Sequence, residues 1–320
     1  MTDRDTATRL VAVVGPTAVG KTALALGVAG CVPAEAVSAD SRQIYRHMDI
    51  GTAKVSAEER EILPHHMVDV VDPDETLTLA QYLEDAKRAI ADIAARGKLP
   101  LLVGGTGLYV RALLEGWTVP RVAPDPDFRA RMKQLAREQG HEVLGERLAA
   151  VDPEAAERID SRNVRRVIRA LEVYQATGRL ISELQRKVPP NWDVWTIGLT
   201  CPRELLYQRI DARVDQMIAQ GLLDEVRWLL EHGYGRDLPA MSGLGYQQLA
   251  AYLMGEMSLP DAVQQIKRDT RNFVRKQYNW FRLSADWIDW YDVTRVDRGS
   301  LASGICAFAR TGEHGPKSEG

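Results

Sequence analysis

Gly15-Pro16-Thr17-Ala18-Val19-Gly20-Lys21-Thr22 matches the phosphate-loop pattern G-x-x-x-x-G-K-[ST] at every fixed position, and its flanks decide the fold. The apolar run LVAVV at residues 10–14 suits a buried strand, and ALALGVA at residues 23–29 is helix-prone. The glycines therefore fall at a strand-to-helix turn. There the loop amides and the helix N-terminus face an anion, Lys21 adds a point charge, and the Thr22 hydroxyl can hold Mg²⁺. A chance match in an ordinary loop would lack both flanks. The motif identifies a bound diphosphate group, not a reaction.

Further strand patterns lie at residues 34–39 (AEAVSA), 99–103 (LPLLV) and 194–199 (VWTIGL), with helical patterns between them. This alternation predicts an α/β fold: a P-loop parallel-sheet core with helices on both faces. The stretch from 117 to 193 is opened by the proline-rich PRVAPDPDF, closed by VPPNW, and reads as helix throughout its interior. It is expected to be a helical insertion domain. The core then comprises residues 1–116 and 194–296, the second part carrying a basic C-terminal helix, and a flexible tail is expected over 297–320.

With 320 residues and 45% hydrophobic content, the chain can bury a large core and a smaller one. Its apolar runs are too short to cross a membrane, and the N-terminal MTDRDTATRL is too polar for a signal peptide, so the cytoplasm is the expected compartment. Cys31, Cys201 and Cys306 are widely separated, odd in number and without a CxxC pair, and are read as structural bystanders. Adjacent His65 and His66 do not share a face and suit a structural or surface role better than a metal site.

The net charge of −3 conceals an uneven distribution. Residues 55–92 hold ten acids and three bases, residues 267–282 six bases and one acid, and residues 158–187 eight bases and three acids. Arg162, Arg165, Arg166 and Arg169 fall on one face of a helix, with Val164, Val167, Ile168, Leu171 and Tyr174 opposite. Arg268, Arg271, Arg275 and Arg282 form a second stripe, interleaved with Phe273, Tyr278, Trp280 and Phe281. A solvated helix face usually mixes signs. All-arginine stripes suit a polyanion, and arginine's fork and flat face suit RNA in particular.

Ligands of parallel sheets bind at the carboxyl ends of the strands. Besides the phosphate loop, those ends deliver Asp40-Ser41-Arg42-Gln43 and Gly104-Gly105-Thr106-Gly107-Leu108-Tyr109. Beyond the last strand, Arg209 and Arg213, four apart on a helix, can pinch a diphosphate from the side opposite Lys21. On the motif alone Asp40 can be a catalytic group, a Mg²⁺ ligand or an N-cap.

Together these segments are similar to the bacterial tRNA dimethylallyltransferases, the tRNA isopentenyltransferase family. The matching stretches are GPTAVGKT (15–22), DSRQIYRHMDIGTAK (40–54), HHMVDV (65–70), GGTGLYVRAL (104–113), RRVIRALEVYQATG (165–178), GLLDEV (221–226), GLGY (243–246) and TRNFVRKQYNWFR (270–282). The resemblance spans nearly the whole chain and fades past Arg282. It implies transfer of a dimethylallyl group from dimethylallyl diphosphate to the exocyclic amine of the adenosine just 3′ of the anticodon, in tRNAs reading codons that begin with U. It implies Asp40 as general base, assisted by Thr106, with Lys21, Arg209 or Arg213, the loop amides and Mg²⁺ on Thr22 meeting the leaving diphosphate. Asp40, Ser41, Arg42 and Gln43, then Arg165, Arg166 and Arg169, then Gly243, Gly245, Tyr246 and Gln247 lie in segments that touch tRNA in the family. Arg271 and Arg275 belong to the expected RNA footprint, the anticodon stem-loop is the expected partner, and the chain is expected to act as a monomer.

Two other classes fit parts of the pattern. A P-loop kinase would use the same loop for ATP, and a non-catalytic RNA-binding module would need the stripes but not Lys21, Thr22 and Asp40. A GTPase is disfavoured, since no N-K-x-D guanine-reading motif follows the loop.

Overall fold

The computed structural model describes residues 7–314, so the reading of MTDRDT at the N-terminus and of the final GPKSEG lies outside the described residues. Six parallel strands form one sheet: β1 (Thr8–Val14), β2 (Ala34–Ser38), β3 (His65–His66), β4 (Leu99–Gly104), β5 (Trp192–Thr200) and β6 (Asp289–Asp292), in the order β3-β2-β4-β1-β5-β6. Central β1 pairs with β4 through Val11 opposite Leu101 and with β5 through Val11 opposite Trp195. Leu10 to Val14 are fully buried, as expected of a strand covered on both faces, which reads as a continuous apolar run.

The expected α/β class with a parallel sheet is what the chain adopts. Side chains alternate across the pleat. Val11, Val13, Leu101 and Val103 share a core with Leu24 and Val28 of the helix Lys21–Ala29 and with Ile305 and Phe308 of the helix Arg298–Thr311. The helix Leu79–Ala95 buries Tyr82, Ala86, Ile90 and Ile93 outside that cluster and covers the other face.

Two edge strands were not expected. β3 has two residues and β6 reads DWYD; neither carries an apolar run, because an edge strand is half solvated and takes polar residues. β5 also begins at Trp192, two residues ahead of the expected 194, because Trp192 pairs with Thr8.

A second core within this part of the chain fixes the loop after β2. Ile44, Tyr45 and Met48 pack with Val214, Leu222, Tyr246 and Ile266, drawing the helices Arg203–Ala219, Leu222–Glu231, Tyr246–Leu253 and Leu259–Trp280 to that loop.

Residues Leu114–Pro190 form a separate compact unit, three residues earlier at each end than the expected 117–193. Its neck is closed by an antiparallel bridge between Trp117 and Lys187, with Val188 N–H donating to the Gly116 carbonyl at 2.9 Å. Five helices surround a core of Phe128, Leu144, Leu148, Val167, Ile168 and Leu171. Tyr174, expected on the apolar face of the helix Val164–Thr177, is 41% exposed.

The tail expected to be flexible from residue 297 is instead helical over Arg298–Thr311. Asp297 caps it by accepting from Ser300 N–H at 2.7 Å, and Leu301, Ala302, Ile305 and Phe308 are buried; the spacing 301, 305, 308 is an apolar helical stripe. The cysteines are not all bystanders either. Cys31 and Cys306 are joined in a disulfide, Cα atoms 6.3 Å apart, leaving Cys201 buried and free. A separation of 275 residues hid the fact that the helix just ahead of Cys31 lies beside the helix that carries Cys306. His66 supports the sheet edge: its Nε2 lies 2.7 Å from Oε2 of buried Glu35. Among the described residues no helix is long and apolar enough to cross a membrane.

Candidate active site

The phosphate loop connects β1 to the helix beginning at Lys21, and its backbone explains its residues. Gly15 has φ +138°, and a Cβ there would lie 2.5 Å from the Leu199 carbonyl oxygen of β5. Gly20 caps the helix at φ +106°; both conformations are ones that L side chains rarely adopt. Lys21 Nζ donates to the carbonyls of Gly15 (3.0 Å) and Pro16 (2.8 Å). Burial lowers its pKa from 10.5 to about 8, with the Asp40 carboxylate opposing that fall and Arg213 adding to it. Burial likewise lowers Arg213, and Asp40 again opposes.

Lys21, Arg213 and Asp40 therefore share one field at the carboxyl edge of the sheet. Arg209, one turn earlier, acts instead on the buried Cys201 thiol, which burial raises and Arg209 lowers. Of the two arginines expected to face the diphosphate, the structure brings Arg213 to Lys21 and Asp40.

Asp40 follows β2, and its Oδ1 accepts from Arg42 N–H at 2.8 Å, an Asx turn that aims the carboxylate. The loop after β4 comes against it. Thr106 N–H donates to the Ala39 carbonyl (3.0 Å), and Thr106 Oγ1 accepts from Ser41 N–H (3.0 Å). Gly104 is required by that approach, since a Cβ would collide with the Ala39 backbone.

Arg42 and Gln43, expected to touch tRNA, are engaged within the protein. Arg42 donates to the Pro239 carbonyl (2.8 Å) and Ser242 Oγ (3.2 Å). Gln43 accepts from Ser38 Oγ (3.1 Å) and donates to the Ala53 carbonyl (3.2 Å).

Tyr246 is likewise in the interior. Its hydroxyl donates to Glu225 Oε1 at 2.6 Å, and its ring lies where a Cβ on Gly51 would be, 2.5 Å away. Gly243 is buried, Gly245 takes φ +92° as the cap of the next helix, and Gln247 is exposed.

The second stripe is also partly engaged. Arg271 pairs with Asp211 and lies 5.5 Å from the Tyr207 ring centroid. Burial alone would raise the pKa of the Tyr207 hydroxyl, but Arg275 acts with Arg203 to lower it. The aromatics read as interleaved do not all face solvent: Phe281 is 1% exposed, Tyr278 lies 2.9 Å from Thr200 Oγ1, and Trp280 packs on Gly107. Phe273 is 38% exposed.

In the unit Leu114–Pro190, Arg165 and Arg166 are exposed. Arg169 is not a free footprint residue: it donates to Glu172 at 2.6 Å and to the Pro120 carbonyl at 3.2 Å. Burial alone would raise the Glu172 carboxyl, but Arg129, the Asp125 amide and Arg169 outweigh it and hold the pKa at about 2.

Three positioning residues lie in quoted motifs without having been singled out. Glu225 accepts the amides of Asp49 (2.9 Å), Ile50 (2.8 Å) and Gly51 (3.2 Å). Lys54 is 2% exposed and donates to the Tyr45 carbonyl (2.7 Å) and Asp69 (2.6 Å). Gln277 is 4% exposed; its Oε1 accepts from Thr17 N–H at 3.0 Å and its Nε2 donates to the Gly105 carbonyl at 3.1 Å. A charged or amide side chain at helical spacing carries no mark of burial, so only the fold exposes them.

From Thr22 and Arg213 a cleft of about 840 Å³ extends past Met217, Ile50 and Lys54 to Arg60. Among the described residues no cluster of three or more His, Cys, Asp or Glu could hold a metal ion. The donors present, Thr22 and Asp40, suit Mg²⁺ held mainly by a substrate's diphosphate and water, which is how that cation commonly binds.

Residues 43–284 match the family model described as IPP transferase. The chain is 60% identical to a tRNA dimethylallyltransferase of Roseiflexus castenholzii over 273 residues, covering 85% of this chain and 89% of that one. It is 52% identical to a tRNA dimethylallyltransferase of Thermomicrobium roseum, covering 89% and 87%. Among solved structures it resembles the tRNA isopentenylpyrophosphate transferase of Bacillus halodurans (TM-score 0.69, 40% identity, covering 94% and 95%). It also resembles a eukaryotic dimethylallyltransferase acting on tRNA (TM-score 0.80, 25% identity, covering 98% and 82%).

Proposed function

The chain belongs to the IPP transferase family, and from that premise we propose a mechanism in which this site moves a dimethylallyl group from its diphosphate to tRNA. The acceptor is the exocyclic amine of the adenosine 3′ to the anticodon in tRNAs reading codons that begin with U. The observation that carries the reading is the shared field of Lys21, Arg213 and Asp40 at one sheet edge, which sets two cations for a leaving group beside one carboxylate for a proton.

In this reaction the bond between the allylic carbon and the diphosphate oxygen breaks, and the oxygen keeps the electron pair. The bond between adenine nitrogen and that carbon forms, and the nitrogen's proton passes to Asp40. The loop amides, Lys21 and Arg213 meet charge that grows in the transition state, where such stabilisation counts most. The Thr106 hydroxyl, aimed by Ser41 N–H, orients the amine or the diphosphate. Thr22 would hold a Mg²⁺ ion, which supplies further charge neutralisation on the diphosphate when bound. The target base has to leave the anticodon stack to reach Asp40. A tRNA substrate supports a cytoplasmic location.

A kinase reading is not favoured: relatives at 48–60% identity are named for dimethylallyl transfer. The deciding experiment incubates the protein with Mg²⁺, unmodified tRNA, and either labelled dimethylallyl diphosphate or γ-labelled ATP. Prenyl label on RNA is expected; phosphate label would overturn the reading. Asp40→Asn should lower turnover by roughly 10²–10⁴ at unchanged tRNA affinity, the usual contribution of a positioned base. Near-normal turnover would remove Asp40 from the proton transfer.

A further inference from the structure

The helix Leu259–Trp280 carries arginines outward, but two of its residues, Gln277 and Trp280, three apart and so on one face, are turned onto the loop after β4. Gln277 sits over Gly105, where a Cβ would collide with its Nε2, and Trp280 sits over Gly107, where a Cβ would collide with Cβ and Cγ of the indole side chain. Thr106 lies between these two contacts, its hydroxyl directed to Ser41 N–H beside Asp40. Gly105 and Gly107, on either side of Thr106 in G-G-T-G, are thus the places where this helix touches the loop.

Gln277 does more than pack. Its amide accepts from Thr17 N–H in the phosphate loop and donates to the Gly105 carbonyl, joining the two loops that flank the reacting atoms. Only a group with one acceptor and one donor on the same planar end can make both bonds. We propose that Gln277, with Trp280 as its second point of contact, is a positioning residue for the transfer. It sets the spacing between the phosphate loop, which holds the leaving group, and the Thr106–Asp40 side, which receives the acceptor amine. The inference rests on the diphosphate and general-base roles given above. Near-attack geometry is sensitive at this scale, a displacement of about 1 Å costing up to about 10²-fold in rate.

The test uses Gln277→Glu, nearly isosteric but placing a carboxylate against the Gly105 carbonyl. Single-turnover prenyl transfer to tRNA should fall by about 10–10²-fold, with the dissociation constant for tRNA unchanged. Only the protonated acid can donate to Gly105, so the ratio of variant to wild-type rate should rise as pH is lowered from 8 to 6. Gly105→Ala, which pushes the amide from the other side, should give a comparable loss, and the two losses should be strongly non-additive when combined. These two results guard against a variant that merely folds poorly, which thermal denaturation would report alongside. A wild-type rate in Gln277→Glu, a loss carried wholly by tRNA affinity, a pH-independent ratio, or additive losses would each overturn the proposal. If wild type itself places no prenyl label on tRNA, or Asp40→Asn is fully active, the functional reading fails; if both behave as expected and Gln277→Glu is unaffected, only this inference fails.

Discussion

Lys21 offers the sharpest test, because burial holds it at about 8 in the ligand-free protein when an exposed lysine titrates near 10.5. That difference corresponds to about 3 kcal/mol of penalty on the charged form, which a bound diphosphate would remove by supplying counter-charge. The sign follows from proton linkage. Below pH 8 Lys21 is already charged and binding needs no proton; above pH 8 the free protein holds it neutral and binding must take one up. If the bound form titrates above 10.5, affinity for dimethylallyl diphosphate should fall by about 30-fold between pH 7 and 9.5, with about 0.9 proton taken up per diphosphate bound at pH 9. The ligand itself contributes little there, since a phosphate monoester completes its ionisation near pH 6. Calorimetry with Mg²⁺ in two buffers of different ionisation enthalpy reads both quantities. Lys21→Arg, which stays charged throughout, should flatten the profile, and Lys21→Ala should weaken binding at every pH. The same lowered pKa penalises the folded state below pH 8 and ceases to do so as pH rises towards 10.5, so this group's contribution to stability moves opposite to its contribution to binding. Flat affinity from pH 7 to 9.5 with no proton uptake would refute the claim that Lys21 is a desolvated cation facing the diphosphate.

Arg213→Ala should slow single-turnover transfer at least about tenfold more than Arg209→Ala, since Arg213 shares the field of Lys21 and Asp40; equal losses would contradict that placement. Arg165→Ala and Arg166→Ala should each weaken tRNA binding and reduce the slope of log affinity against log salt by roughly 0.7–1, at unchanged rate with saturating tRNA, whereas unchanged slopes would make them ordinary surface. Arg169→Ala should appear in denaturant unfolding of the full chain, because it removes a partner from buried Glu172; a pure affinity loss at wild-type stability would show that Arg169 leaves Glu172 to bind RNA. Glu225→Ala should destabilise by about 3 kcal/mol, leaving three loop amides and the Tyr246 hydroxyl without their acceptor; a loss below about 1 kcal/mol would mean that water replaces the carboxylate.

The catalytic edge was legible because its chemistry needs unusual backbone. Gly15, Gly20 and Gly104 stand where a side chain would strain the turn or strike a neighbouring strand, so glycines at fixed spacing marked where an anion or another loop comes close. The central strands were legible for a related reason: burial on both faces leaves continuous apolar runs. Where burial is one-sided or achieved by few residues, the signal vanished. β6 and β3 lacked apolar runs, and the helix Arg298–Thr311 was obscured by its small residues, RGSLASG, though its stripe at Leu301, Ile305 and Phe308 was present.

Charge was the least reliable guide, and the two arginine stripes explain why. Helical phase aligned Arg165, Arg166 and Arg169, whereas Arg162, read onto the same face, lies in the turn before the helix and pairs with Asp160; and phase reports direction from the axis, not what stands in that direction. Glu172, three residues from Arg169, is buried and needs cations, so the arginine nearest the core on that helix becomes an internal counter-ion while its neighbours stay in water. Arg271 is also paired, at a part-exposed site, with Asp211, on another element 60 residues away in sequence. Gln277 inverts the error: a polar residue inside a basic stripe, it belongs by sequence to the wet face and by structure to the loop contacts around Thr106. A stripe of one residue type can therefore serve two masters, and which members face solvent is set by acids elsewhere in the chain that no local window contains. Salt dependence separates them, since an exposed arginine releases counterions when it meets a phosphate, and an arginine already paired to a buried carboxylate has none to release.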